Sequence, residues 1–157
     1  MTNAKTDTNL TSTGAPAGST FPNHLVKADY VRLSDFRHGL RRFLRVSERI
    51  CHEQGLTSLQ YQLLLHVRGF PERDWASISE LAERLQAQHH GVVALIDRCE
   101  KLGLVVRRTG CEDKRVVEIH LLPAGENLLE RIALQHQDDL HQLLRMFAWV
   151  EAQTPVA

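Results

Sequence analysis

SISELAERLQAQHHGVVALIDRCEKLGLVVRRTGCEDKRVVEIHL, residues 77–121, reads as two short helices, a tight turn and a β-hairpin. Ser77 and Glu80 make a capping box of the form S-x-x-E, in which each side chain bonds the other's backbone amide. A helix follows over Ile78–Leu85, with Ile78, Leu81, Ala82 and Leu85 on one side. After a three-residue turn, Val92, Leu95, Ile96 and Cys99 form the buried stripe of a second helix, about Gln88 to Leu102. Gly103 stands where a left-handed C-terminal cap belongs, with apolar Leu104 behind it. Leu104–Arg108 and Val116–Leu121 are strand-like, the second by its alternating Val117, Ile119 and Leu121. The polar turn TGCEDKR joins them. Two helices around a tight turn are a helix-turn-helix, and a hairpin directly after one is a wing. The expected fold class is therefore mainly α with a small β-hairpin: a winged helix-turn-helix over residues 56–121.

On the N-terminal side, Leu33, Phe36, Leu40, Phe43, Leu44, Ser47 and Ile50 recur at steps of three and four, predicting a helix over 29–54. Thr57 and Gln60 form another capping box, opening a helix to about Arg68 with Leu59, Leu63, Leu64 and Val67 as core candidates. On the C-terminal side, Pro123 suits a first helical position. Leu129, Ile132, His136, Leu140, Leu143, Leu144 and Phe147 then predict one long helix over 123–153. The apolar stripes of the 29–54 and 123–153 helices exceed what a small winged domain covers. They are read as dimerisation helices, making the chain a homodimer. Residues 1–28 are rich in Thr, Ser, Asn, Gly and Pro and read as a flexible tail before a single domain over 29–157.

The chain of 157 residues is 43% hydrophobic and 24% charged, with zero net charge. Neutrality excludes a generally basic nucleic-acid coat, so charge has to be read by segment. Residues 84–115 hold seven Lys/Arg against four Asp/Glu, net +3; residues 123–157 hold two Arg against five acids, net −3. The positive segment coincides with the helix-turn-helix and wing, as binding to phosphates requires. No apolar run reaches the ~18–20 residues of a membrane span, and no signal-peptide pattern is present. Three cysteines without CxxC spacing (Cys51, Cys99, Cys111) fit a reducing compartment, the cytoplasm.

A helix in the major groove reads base edges from its first turns. Here those turns offer Gln88, His89, His90 and Val93, with Gly91 permitting close backbone approach. The wing offers Arg107, Arg108, Lys114 and Arg115, and a guanidinium at a hairpin tip suits a narrow minor groove. Asp113, two residues before Arg115, is positioned to orient it. The implied partner is double-stranded DNA, with an inverted-repeat operator matching a two-fold dimer.

Other readings carry less. No Gly-rich phosphate loop, nucleophile elbow or paired-carboxylate motif suggests an enzyme or a cofactor. His38 and His52 are too far apart along their helix to share an ion, His136 and His141 are five apart, and no Cys/His cluster suggests a metal. A redox sensor needs an activated thiol, for which Cys111 in the basic loop is a better candidate than Cys51 or Cys99. A winged-helix module serving only protein contacts is the rival of another class, since the first turns of the second helix lack Arg and Lys. A small anionic aromatic effector would find polar groups in Arg37, His38, Arg41, Tyr61 and His66.

From about Asp29 to Leu144 the sequence resembles the MarR family of transcription regulators. The resemblance is carried by SISELAERL, VVALIDRCEKLGLVVRR and EDKRVVEIHLLPAG, the last with its Asp-x-Arg, strand and L-x-P-x-G. It implies a dimer, a wing-tip pair Asp113 and Arg115, a base-reading helix around Gln88–Ala94, and a repressor released from DNA by a small aromatic molecule. The chain departs from the family in lacking the early Ser or Thr and Arg of the recognition helix. It also has Leu122 where the family has a threonine, so that no hydroxyl caps the next helix.

Overall fold

A computed structural model describes residues 24–110 and 113–151, with side chains as far as residue 145. Helix α1 spans Lys27–Glu53, starting two residues before the expected boundary. Asp29 causes this: its carboxylate accepts a hydrogen bond from the Val26 amide at 2.9 Å, satisfying a donor at the helix start. Residues 27 and 28 of the expected tail are thus helical, and residues 1–23 lie outside the described part. Helix α2 (Ser58–Arg68) opens on its capping box: the Gln60 amide donates to Thr57 Oγ1 at 3.2 Å and the Thr57 amide to Gln60 Oε1 at 2.8 Å.

A three-residue strand, β1 (Trp75–Ser77), leads into helix α3 (Ile78–Arg84) through the Ser77–Glu80 capping box. Helix α4 covers His89–Lys101, and Gly103 ends it with φ +68°. The Leu104 amide then reaches back to the Cys99 carbonyl at 3.0 Å and the Gly103 amide to that of Glu100 at 2.9 Å. Strands β2 (Val105–Thr109) and β3 (Val117–Leu121) form the expected hairpin. The sheet is antiparallel in the order β1-β3-β2, so β1 adds a strand that the sequence did not announce. Trp75 pairs with His120 and Ser77 with Glu118.

The expected long last helix is two helices, α5 (Pro123–Gln135) and α6 (Gln137–Glu151). No glycine or proline breaks them. The break is held by His136, 5% exposed. Its Nδ1–H donates to the Ile132 carbonyl at 2.7 Å, and its Nε2 accepts from the Ser47 hydroxyl of α1 at 2.8 Å. Its ring also stacks on Tyr61 of α2, with centroids 5.1 Å apart. Three contacts from three elements fix the imidazole where the chain turns.

Leu63, Leu64, Val67, Leu81, Val92, Ile96, Ile119 and Ile132 are fully buried, so the core lies between α2, α3, α4, α5 and the sheet. Leu63, Leu64 and Val67 are buried as expected, while Leu59, also expected in that core, is half exposed and Gln60 and Tyr61 complete the inner face of α2. Gly125 lets the first turn of α5 rest on the bend after α4. A Cβ there would lie 2.2 Å from the Leu104 carbonyl oxygen, which also accepts the Leu122 amide. Helices α1 and α6 pack on each other, yet Leu33 and Leu44 of α1 and Leu140 and Leu144 of α6 stay exposed.

Candidate nucleic-acid interface

The start of α4 presents Gln88, His89 and His90 to solvent, and the space around Gly91 is open. Gln88 is the N-cap residue but makes no side-chain cap hydrogen bond. The first amides of α4 therefore point outward without a side-chain acceptor, at the positive end of the helix dipole. Val93, grouped by the sequence reading with these residues, is half-buried, because it flanks the core stripe of Val92 and Ile96. Further along, Arg98 and Lys101 are exposed on the same helix.

In the wing, Arg108, Lys114 and Arg115 are exposed and make no ion pair among the described residues. Asp113 meets Arg115 at the backbone rather than at the guanidinium. Its Oδ1 accepts the Arg115 backbone amide at 2.9 Å, and its carbonyl accepts the Val116 amide at 3.0 Å. This is a side-chain turn that shapes the tip, so Asp113 aims Arg115 through the backbone.

Arg107 requires a correction as well. It is not a free wing cation. Its guanidinium bonds the Glu100 carboxylate, Asp97 Oδ1 at 2.7 Å and the Val93 carbonyl at 3.3 Å, all on α4. Asp97 and Glu100 are functional neighbours that sequence reasoning missed. Their signal was present: two acids at i and i+3 on the helix ahead of GLVVR.

Residues 54–116 match the model of the MarR family. Over that segment the chain is similar to the MarR family. The chain is 35% identical over 71 residues to the uncharacterized HTH-type transcriptional regulator YsmB of Bacillus subtilis, covering 45% of this chain and 49% of that one. It is 28% identical over 80 residues to the HTH-type transcriptional repressor MdtR of the same organism, covering 51% and 50%. The chain thus spans about half the length of the curated relatives it matches. Among solved structures, AbsC of Streptomyces coelicolor, a MarR family regulator, superposes with a TM-score of 0.64 at 19% identity over 85% of this chain and 86% of that one. Sco3205 of the same organism, solved in complex with DNA, gives 0.62 at 23% over 78% and 77%.

Around this winged helix-turn-helix, the five residues singled out for an effector do not converge. His38 and Arg41 line an open groove of about 600 Å³ between α1 and α2, with Arg42, Arg45 and Ser47. Arg37 is exposed on α1 outside that lining. Tyr61 is in the core, stacked on His136, and so lies away from the groove. His66 is half-buried, where burial and then the Arg84 guanidinium hold its pKa below 6.5.

The described cysteines are poor nucleophiles. Cys51 and Cys99 are fully buried and unpaired. Burial raises the Cys51 thiol and pushes that of Cys99 up to about 11, so neither is a thiolate at neutral pH. Cys111 lies outside the described residues. Among the described residues, no three metal-ligating side chains come together, and no helix is long and apolar enough to cross a membrane.

Proposed function

We propose that this chain is a homodimeric transcription regulator that binds double-stranded DNA, with α4 reading the major groove and the wing entering the neighbouring minor groove. The observation that carries the reading is the pairing of two unsatisfied surfaces. One is the start of α4 with Gln88, His89 and His90 and no side-chain cap; the other is the wing, where Arg108, Lys114 and Arg115 make no ion pair among the described residues. Outward amides at a helix start bind phosphate, and guanidinium groups at a hairpin tip bind a narrow minor groove. The similarity of residues 54–116 to the MarR family and the DNA complex of Sco3205 support the same partner.

The exposed leucines of α1 and α6 support a two-fold dimer built on the 29–54 and 123–151 segments, with residues 56–121 as its DNA-binding part. The arginine-lined groove between α1 and α2 supports release by an anionic aromatic effector, held by His38, Arg41, Arg42 and Arg45. Repression through occupancy of a promoter is the output in this reading; the relative MdtR is named a transcriptional repressor. Selection of bound fragments from a genomic pool, followed by footprinting, tests it. An imperfect inverted repeat with half-sites about one helical turn apart, ~10 bp, is expected. No enrichment over background would instead make the domain a protein-interaction module.

A further inference from the structure

We infer that Arg107 is a positioning residue of the DNA-binding surface, locking the wing strand to the recognition helix without itself holding phosphate. The inference rests on the DNA-binding reading above and assigns that surface its internal brace.

Strand β2 is at the sheet edge, paired on one side with β3. An edge strand turns half its amides away from its partner strand. The Arg107 amide is one of these, and it donates to Glu100 Oε1 at 3.0 Å. The Arg107 guanidinium bonds the other oxygen of the same carboxylate. Glu100 therefore grips backbone and side chain of one residue at once. The second arm of the fork reaches Asp97 and the Val93 carbonyl. Val93, Asp97 and Glu100 lie at i, i+4 and i+7, a single stripe along α4. A planar guanidinium can engage all three together; a lysine ammonium has no such fork.

The electrostatics separate Arg107 from its neighbours. Its side chain is 28% exposed and that of Glu100 29%, so this pair is partly shielded from water and exceeds an ordinary surface ion pair. Asp97, 51% exposed, adds less. Two carboxylates offset the one guanidinium, so Arg107 contributes no net positive potential toward a phosphate. Without it, Asp97 and Glu100 would stand unpaired on the very helix that approaches DNA. Arg107 thus does two things: it fixes the wing relative to α4, and it neutralises acids that would repel the ligand.

The sign of one substitution tests this. On charge alone, Glu100→Gln removes an acid from the DNA-facing helix and should tighten binding. If Arg107 acts through Glu100, Glu100→Gln weakens binding roughly tenfold or more. The full-length chain, Glu100→Gln and Arg107→Lys are titrated into a duplex that the parent has selected from a random-sequence pool. Amide hydrogen exchange is followed on the same samples without DNA. Expected are comparable losses of affinity for both variants, retained cooperative melting, and faster exchange at the Arg107 amide with unchanged exchange at Leu63 and Leu64. Glu100→Gln binding as tightly as the parent, or more tightly, overturns the inference. So does Arg107→Lys binding like the parent, the behaviour of a simple phosphate contact. A parent chain that bound no duplex would overturn the DNA reading and this role with it. Faster Arg107 exchange in Glu100→Gln would in that case assign the brace to stability alone.

Discussion

Arg115 and Arg107 are both wing arginines in the sequence, and the structure gives them opposite environments. Arg115 stands in solvent at a tip shaped by Asp113; Arg107 is bound to two acids of α4. Arg115→Ala is therefore expected to weaken DNA binding by about 1–3 kcal/mol per subunit contact, while Arg145→Ala, on α6, leaves it unchanged. Fluorescence anisotropy at several salt concentrations compares them, and the melting midpoint of Arg115→Ala should match the parent, since an exposed side chain adds little to stability. Equal affinities for the two variants would remove the wing tip from the mechanism. Two buried or paired groups set the acid response. His66 has its pKa lowered from 6.5 by burial and Arg84. Its neutral form is favoured in the fold, so its contribution is complete above pH 6.5 and is lost as pH falls through the lowered value. Burial raises Glu80, but hydrogen bonds from Ser77 and the pairing with Arg73 outweigh it and leave its pKa below 4.5. Its contribution is complete above that pH and is lost as pH falls through its own lowered value. Melting temperature should accordingly fall in two stages, first below pH 6.5 and again below pH 4.5. His66→Gln should abolish the first stage alone; a first stage that survived it would assign the effect to another histidine.

The helix-turn-helix was legible at the level of elements because its boundaries are chemical. Ser77 with Glu80, Thr57 with Gln60, and Gly103 satisfy helix-end groups through contacts within a few residues. Local contacts leave their signature in local sequence. Strand β1 left none, since three residues are too few for an alternation and its pairing partner, β3, lies some forty residues away. The α5–α6 break was hidden for a related reason, as Ser47 and Tyr61, which hold His136, come from other helices. Two glycines separate the local from the non-local case by measurement. Gly103→Ala meets open space and loses only its left-handed conformation, expected to cost roughly 1–2 kcal/mol. Gly125→Ala drives a Cβ into the Leu104 backbone and should cost more, about 2–3 kcal/mol, with α5 lifted from the bend after α4. Urea unfolding of both gives the order; a Gly125→Ala protein as stable as Gly103→Ala would mean that α5 does not rest on Leu104.

At the scale of the whole molecule, the winged domain is closed around its own core and the terminal helices are not. α1 and α6 pack on each other, yet Leu33 and Leu144 remain 54% and 51% exposed. In the proposed dimer a second copy of the chain covers those faces. Light scattering at micromolar concentration should give twice the monomer mass. Leu33→Glu combined with Leu144→Glu should shift the protein toward monomer and weaken DNA binding, because each half-site then binds alone. A monomeric parent would reject the dimer.

The sequence by itself determined the helix-turn-helix and its order in the chain, the capping boxes of α2 and α3, the core stripe of α4 and the wing that follows it. Each of these is written in contacts between residues a few positions apart, where propensity and periodicity act directly. Tertiary structure decided which side chains are free to act. It paired Arg107 with Glu100 and Asp97, placed Tyr61 in the core and separated Arg37 and His66 from the groove that His38 and Arg41 line. A guanidinium or an imidazole reads alike in sequence whether it faces solvent or a carboxylate. What settles its role is the neighbour that folding brings from elsewhere in the chain, and that neighbour sets its charge, its exposure and its direction.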